Sequence, residues 1–143
     1  MNDINIFYEH SSIPLSEKNL KSLCSEILKH QGYSKYNISV IFVSDEALKE
    51  MKKKYFNQDM YTDVIAFNLS DENQLEGEIY ISFDVVKINS DLYDTEVNNE
   101  LQRIVIHGTL HLIGYEDSTK GEKDQMTKLE NFFINNFNQF ILI

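Results

Sequence analysis

Glu96–Asp117 of this chain reads EVNNELQRIVIHGTLHLIGYED. Ile104, Val105, Ile106, Leu110, Leu112 and Ile113 crowd apolar side chains into a proline-free run, and Gly114 follows where helices commonly turn out through a left-handed residue. The pattern predicts a helix over 96–113 whose apolar flanks bury it. His107 and His111 stand four residues apart, which puts both imidazoles on one helical face, one turn apart. Asp117 comes three residues after Gly114, so a chain reversed at the glycine brings the carboxylate back towards the imidazoles. The whole is His-x-x-x-His-x-x-Gly-x-x-Asp. Two imidazoles and one carboxylate with a position left open is how catalytic zinc is held. The competing reading is a polar groove lined by two histidines, with Asp117 as a surface cap.

Outward from this helix, Asn2–Glu9 alternates, with Ile4, Ile6 and Tyr8 on one side, and predicts a strand. Pro14 separates it from a helix capped by Ser16 and running to about His30, with Leu20, Leu23, Cys24, Ile27 and Leu28 at helical spacing. Cys24, the single cysteine, lies on that stripe and reads as core. A strand over Asn37–Val43 follows, then a helix from Ser44 through Lys54 with Leu48, Met51 and Tyr55 facing inward. Asp63–Leu69 and Glu78–Ser82 flank a polar loop and are expected to pair as an antiparallel hairpin. Helices over 83–93 and 120–137 complete the pattern. Strands and helices mix without strict alternation, which predicts an α+β fold: a small mixed sheet of about four strands packed with about five helices, one domain over 1–143. The aromatic, apolar C-terminus (Phe132, Phe133, Ile134, Phe137 and Phe140–Ile143) is expected to pack mostly into the core.

The 143 residues carry 13 Lys and Arg against 23 Asp and Glu, a net charge of −10. That balance argues against a protein that wraps a nucleic-acid backbone, whose affinity rests on cationic neutralisation of phosphates. It leaves room for a local site of opposite sign. One cysteine excludes a disulfide framework within the chain and a cysteine-based metal cluster. The first dozen residues hold no apolar stretch of the signal-peptide kind, and no apolar run approaches the ~20 residues of a membrane span. The expectation is a soluble, cytoplasmic protein with no membrane partner.

His107–Asp117, HGTLHLIGYED, resembles the signature of the YbeY family, bacterial metal-dependent endoribonucleases of ribosomal RNA maturation, whose pattern is His-Gly-x-Leu-His-Leu-x-Gly-Tyr-Asp-His. Thr62–Phe67, TDVIAF, is similar to the family's Thr-Asp-Val-Leu-Ser-Phe block, and Gly77–Ser82, GEIYIS, to its Gly-Asp-Ile-x-Ile-Ser block. The resemblance runs from about Leu48 to Asp117. It implies a zincin-like metal site, a zinc-dependent endoribonuclease (a hydrolase of RNA phosphodiester bonds), and work in ribosomal RNA processing and ribosome biogenesis. Ribosomal RNA and the ribosome or a ribosomal protein are the implied partners; DNA is not expected. Two departures matter. Asp117 stands where the family has a third histidine, which keeps zinc foremost and admits other divalent ions. Tyr55 is followed by Phe56 where the family commonly has an arginine facing RNA phosphate.

Arg103, the chain's single arginine, precedes His107 by four residues and so shares its helical stripe. Two readings stay open for it: a guanidinium gripping a phosphate beside the metal, or a solvated arginine paired with Glu100. Glu116 neighbours a ligand and is the candidate general base, against a capping or surface role. Lys52–Lys54 form the densest basic cluster, near the site or as a solvated helix end. A zinc peptidase shares the ligand frame but needs glutamate directly after the first histidine, where this chain has Gly108. A metal-stabilised ribosome assembly factor without catalysis is the reading from another class.

Overall fold

The structure is a computed structural model that describes residues 2–143; Met1, the first residue of the expected domain, lies outside the described residues. In chain order the elements are β1 (Asn2–Tyr8), α1 (Glu17–His30), β2 (Tyr36–Val43), α2 (Asp45–Phe56), β3 (Val64–Asn68), β4 (Leu75–Ser82), α3 (Phe83–Leu92), α4 (Val97–Leu112) and α5 (Lys120–Phe137). This is the expected α+β fold, a four-stranded mixed sheet with five helices among the described residues.

Helix starts follow local chemistry. The hydroxyls of Ser16, Ser44 and Ser82 accept the backbone N–H of Asn19, Ala47 and Val85 at 3.3, 3.0 and 3.2 Å. Each such cap is worth about 1 kcal/mol. α2 runs to Phe56, past the expected end at Lys54, and stops at Asn57, whose φ of 54° is left-handed. Tyr55, in the last turn, meets the Phe67 ring of β3 edge-on at 5.3 Å, so it faces the sheet as its spacing predicts but at the margin, where it stays exposed.

The sheet order is β1-β2-β4-β3, with β1, β2 and β4 parallel and β3 antiparallel on the β4 edge. The β3–β4 hairpin is as predicted, but β4 starts at Leu75, which pairs with Tyr36 of β2. Successive side chains go to opposite faces of the sheet. Ile38, Val40, Phe42, Val64, Ile79 and Ile81 face the larger core with α1, α4 and α5. Ile41, Val43 and Ile65 face a smaller cluster closed by Leu48 of α2. Cys24 is wholly buried, 3.7 Å from the Thr109 hydroxyl, and burial pushes its thiol up to about 11, against a smaller lowering by that contact. Phe133 and Leu142 are buried in the main core and Ile134, Phe137 and Phe140 pack half-buried against it, while Phe132, Ile141 and Ile143 are exposed, so the C-terminus is core in its larger part. No helix among the described residues is long and apolar enough to cross a membrane.

α4 lies against β3 and β4 with Gly108 at the contact. A Cβ at this position would stand 2.9 Å from the side-chain methyls of both Ile79 and Val64. The glycine lets the helix backbone reach the sheet, and this seats His107 and His111 beside the start of β3. Gly108→Ala should lower unfolding free energy by about 1–3 kcal/mol in chemical denaturation, because overpacking outweighs the gain in helix propensity.

Candidate functional site

The end of α4 is built to reverse the chain. Gly114 has φ of 107°, its N–H donates to the His111 carbonyl at 3.1 Å, and the Tyr115 N–H donates to the Leu110 carbonyl at 3.1 Å. These are the two bonds of a Schellman turn, and only glycine adopts that φ without steric cost. Two further bonds pin the turn. The Asn68 amide donates to the Leu112 carbonyl at 2.9 Å, and the Tyr115 hydroxyl donates to Gln31 Oε1 at 2.8 Å. Beyond the turn, Thr119 and Glu122 form a capping box for α5. Asp117 takes no part in that cap, and its carboxylate turns to the histidines.

His107, His111 and Asp117 come together, with one ligand atom from each lying within 4.8 Å of the others. Asp117 Oδ2 is 3.4 Å from His107 Nε2 and 3.5 Å from His111 Nε2. Ligands about 2.0–2.2 Å from a tetrahedral zinc ion stand about 3.3–3.6 Å apart, so these separations fit one such ion. The two rings meet edge-on, at 75° between planes. The group can hold a metal ion, and its donor set of two imidazoles and a carboxylate suits that role.

A residue that the spacing does not indicate completes the surroundings of His107. Glu130 of α5 is only 6% exposed and stands on the buried side of its helix with Met126 and Phe133. Its Oε2 lies 2.5 Å from His107 Nδ1. Arg103 is directed to the same carboxylate: Nη1 donates to Glu130 Oε1 at 3.0 Å and Nη2 to Asn131 Oδ1 at 3.2 Å. The alternative that pairs it with Glu100 is thus corrected to Glu130. Both guanidinium contacts are to residues of α5, and Arg103 is not among the residues that line the cleft beside the histidines. A charged residue on an otherwise apolar stripe was the signal in the sequence for Glu130.

His107, His111 and Asp117 open into a cleft of about 460 Å³. Lys52, Phe56 and Gln58 line one side; Thr62–Ala66 of the β3 edge, Glu116 and Ser118 line the rest. Asp63 in this wall accepts the Asn89 amide at 3.3 Å. Burial raises its pKa, against the lowering effect of His107 and of backbone N–H groups. Burial also raises that of Glu100, with Asp63 adding and Arg103 opposing. Burial alone lowers the His107 pKa, but the hydrogen bond and charge of Glu130, with Asp117 and Asp63 behind it, outweigh this and raise it above its ordinary 6.5. Glu116 is exposed at the cleft mouth.

A raised His107 pKa stabilises the metal-free fold fully below the ordinary 6.5, and that contribution is lost as pH rises through the folded value. Chelator-treated protein should therefore lose stability across this window in denaturant titrations. Metal uptake should strengthen over the same window, because the ion displaces the imidazole proton. Bound metal should approach one ion per chain and fall sharply in His107→Ala and Asp117→Ala, as measured by elemental analysis after gel filtration.

Comparison with known proteins agrees with this architecture. The family model described as Endoribonuclease YbeY matches residues 5–138. The protein named Endoribonuclease YbeY from Parabacteroides distasonis is 35% identical over 129 residues, covering 90% of this chain and 91% of that protein. Its namesake from Cytophaga hutchinsonii is 38% identical over 130 residues, covering 90% and 91%. The solution structure of a Thermotoga maritima protein superposes with a TM-score of 0.63 at 31% identity, covering 96% of this chain and 93% of that one. A match of this extent, carried through the histidine helix and the turn that follows it, means that the chain belongs to the YbeY endoribonuclease family.

Proposed function

We propose that this protein is a zinc-dependent endoribonuclease that acts on ribosomal RNA during ribosome maturation in the cytoplasm, as a single catalytic domain over 1–143. The observation that carries the reading is the convergence of His107, His111 and Asp117 on a polar cleft with Lys52 in its wall, in a chain of the YbeY family. A bound zinc ion supplies Lewis-acid polarisation of a phosphoryl oxygen and acidification of water. The chain's own groups do the rest. Glu116 at the mouth of the cleft accepts a proton. Lys52 offers a point charge to a phosphate. Its ammonium lies 5.0 Å from the centre of the Phe56 ring, and Lys54 and Lys49 stand similarly over Tyr55 and Tyr61 at 5.2 and 4.5 Å. Tyr55, Phe56 and Tyr61 are exposed, and aromatic faces beside cations suit single-stranded RNA, whose unstacked bases lie on such surfaces. Thus Phe56, at the family's arginine position, offers a stacking surface, with the cation supplied one turn earlier.

A peptidase is disfavoured by the seat of α4. The space that a glutamate after His107 would enter is filled by Ile79 and Val64. The net charge of −10 limits non-specific RNA affinity and makes salt dependence shallow. Delivery then falls to a partner, the ribosome or a basic ribosomal protein.

The deciding experiment incubates single-stranded RNA and an unstructured protein with the purified enzyme, with and without chelator. Cleavage of RNA alone, abolished by chelator and restored by zinc, is expected. Cleavage of neither, with ribosome binding retained, assigns an assembly factor instead. Lys52→Ala should weaken RNA binding by a similar factor for all sequences and lower the slope of log affinity against log salt by about 1, read by fluorescence anisotropy.

A further inference from the structure

We infer that Glu130 is a positioning residue for the metal ligand His107, and that Arg103 acts through Glu130 and not on RNA. The inference rests on the reading of His107, His111 and Asp117 as metal ligands. A carboxylate accepts and cannot donate, so its 2.5 Å contact requires that His107 Nδ1 carry the proton. The Nε2 lone pair is then turned to the side where Asp117 and His111 lie, 3.4 Å from Asp117 Oδ2. Without Glu130 the proton is free to sit on Nε2, where it donates to Asp117 and blocks coordination. Carboxylates in this position fix the ring and raise ligand basicity.

Glu130 in turn is held by Arg103. Its two oxygens are divided, one to the imidazole and one to the guanidinium. At 6% exposure such a carboxylate needs both partners, because a buried charge without compensation is unfavourable. Arg103 is further fixed by Asn131, which sets the plane of the guanidinium. The chain of contacts Asn131–Arg103–Glu130–His107 runs from the surface between α4 and α5 to the ligand ring. It reaches the metal side of His107 from behind, with no atom of Arg103 in the cleft lining.

The test compares wild type, E130Q and R103M. Zinc affinity is measured by competition with a chromophoric chelator, and the visible absorption of the cobalt(II)-substituted protein reports ligand geometry. E130Q should bind zinc about 10–100-fold more weakly and shift the cobalt bands. R103M should lose less, and the double variant should be no weaker than E130Q alone, since Arg103 acts through Glu130. A purely structural ion pair between α4 and α5 predicts instead a lowered unfolding midpoint of the metal-free protein with unchanged zinc affinity and cobalt spectrum. That result overturns the inference. R103M with wild-type zinc affinity and a raised KM for RNA also overturns it, by returning Arg103 to phosphate recognition. If E130Q does not fold, R103M, whose side chain is 39% exposed, carries the same test. Wild type that takes up no zinc overturns the metal reading itself, whereas E130Q with wild-type affinity overturns only the positioning role.

Discussion

The contact between the backbone of α4 at Gly108 and the methyls of Ile79 and Val64 is the constraint from which the site follows. It sets the depth and rotation of the helix on the sheet. Rotation decides that Gly108 faces inward, so His107 and His111 emerge at the rim, beside the β3 edge that forms the cleft wall. Depth decides that the Schellman turn at Gly114 comes within reach of Asn68 and Gln31, which hold it. Asp117 is then returned to the imidazoles by a turn tied at both sides. The three groups that could hold a metal ion are preorganised by packing and hydrogen bonds, which lowers the ordering cost of taking one up.

His107 sits between two carboxylates with different tasks. Asp117 shares its Nε2 side with the space for an ion, while Glu130 holds Nδ1. Glu130 is the more buried of the two, in keeping with a group that orients and does not exchange with solvent. His107 is thereby the junction between the cleft and the α4–α5 interface.

Much of this was legible in the chain because it depends on neighbours in sequence. Serine caps at 16 and 44, the apolar stripes of α1 and α4, and the spacing from His107 to Asp117 are local, and local geometry translates directly into helix face and turn. The order β1-β2-β4-β3 was not legible, since parallel pairing joins segments far apart and alternation says only which side of a strand is apolar. The same limit explains Arg103. Spacing puts it on the histidine stripe, but a long side chain goes where the next element supplies a partner, and that element was α5. Tyr55 illustrates a different limit: it meets Phe67 at the margin of the β3 edge strand, where facing the sheet does not amount to burial, so helical periodicity there overstates it.

The order of the elements along the chain carries a consequence in time. All four strands are complete by Ser82, whereas the first histidine of the site is residue 107 and the glutamate behind it is residue 130. During synthesis from the N-terminus, at about 5–20 residues per second, the sheet that seats α4 is made before any of these groups. The groups that could hold a metal ion are thus added onto a floor already laid. A chain truncated before α5 retains His107, His111 and Asp117 but lacks the group that aims the first of them.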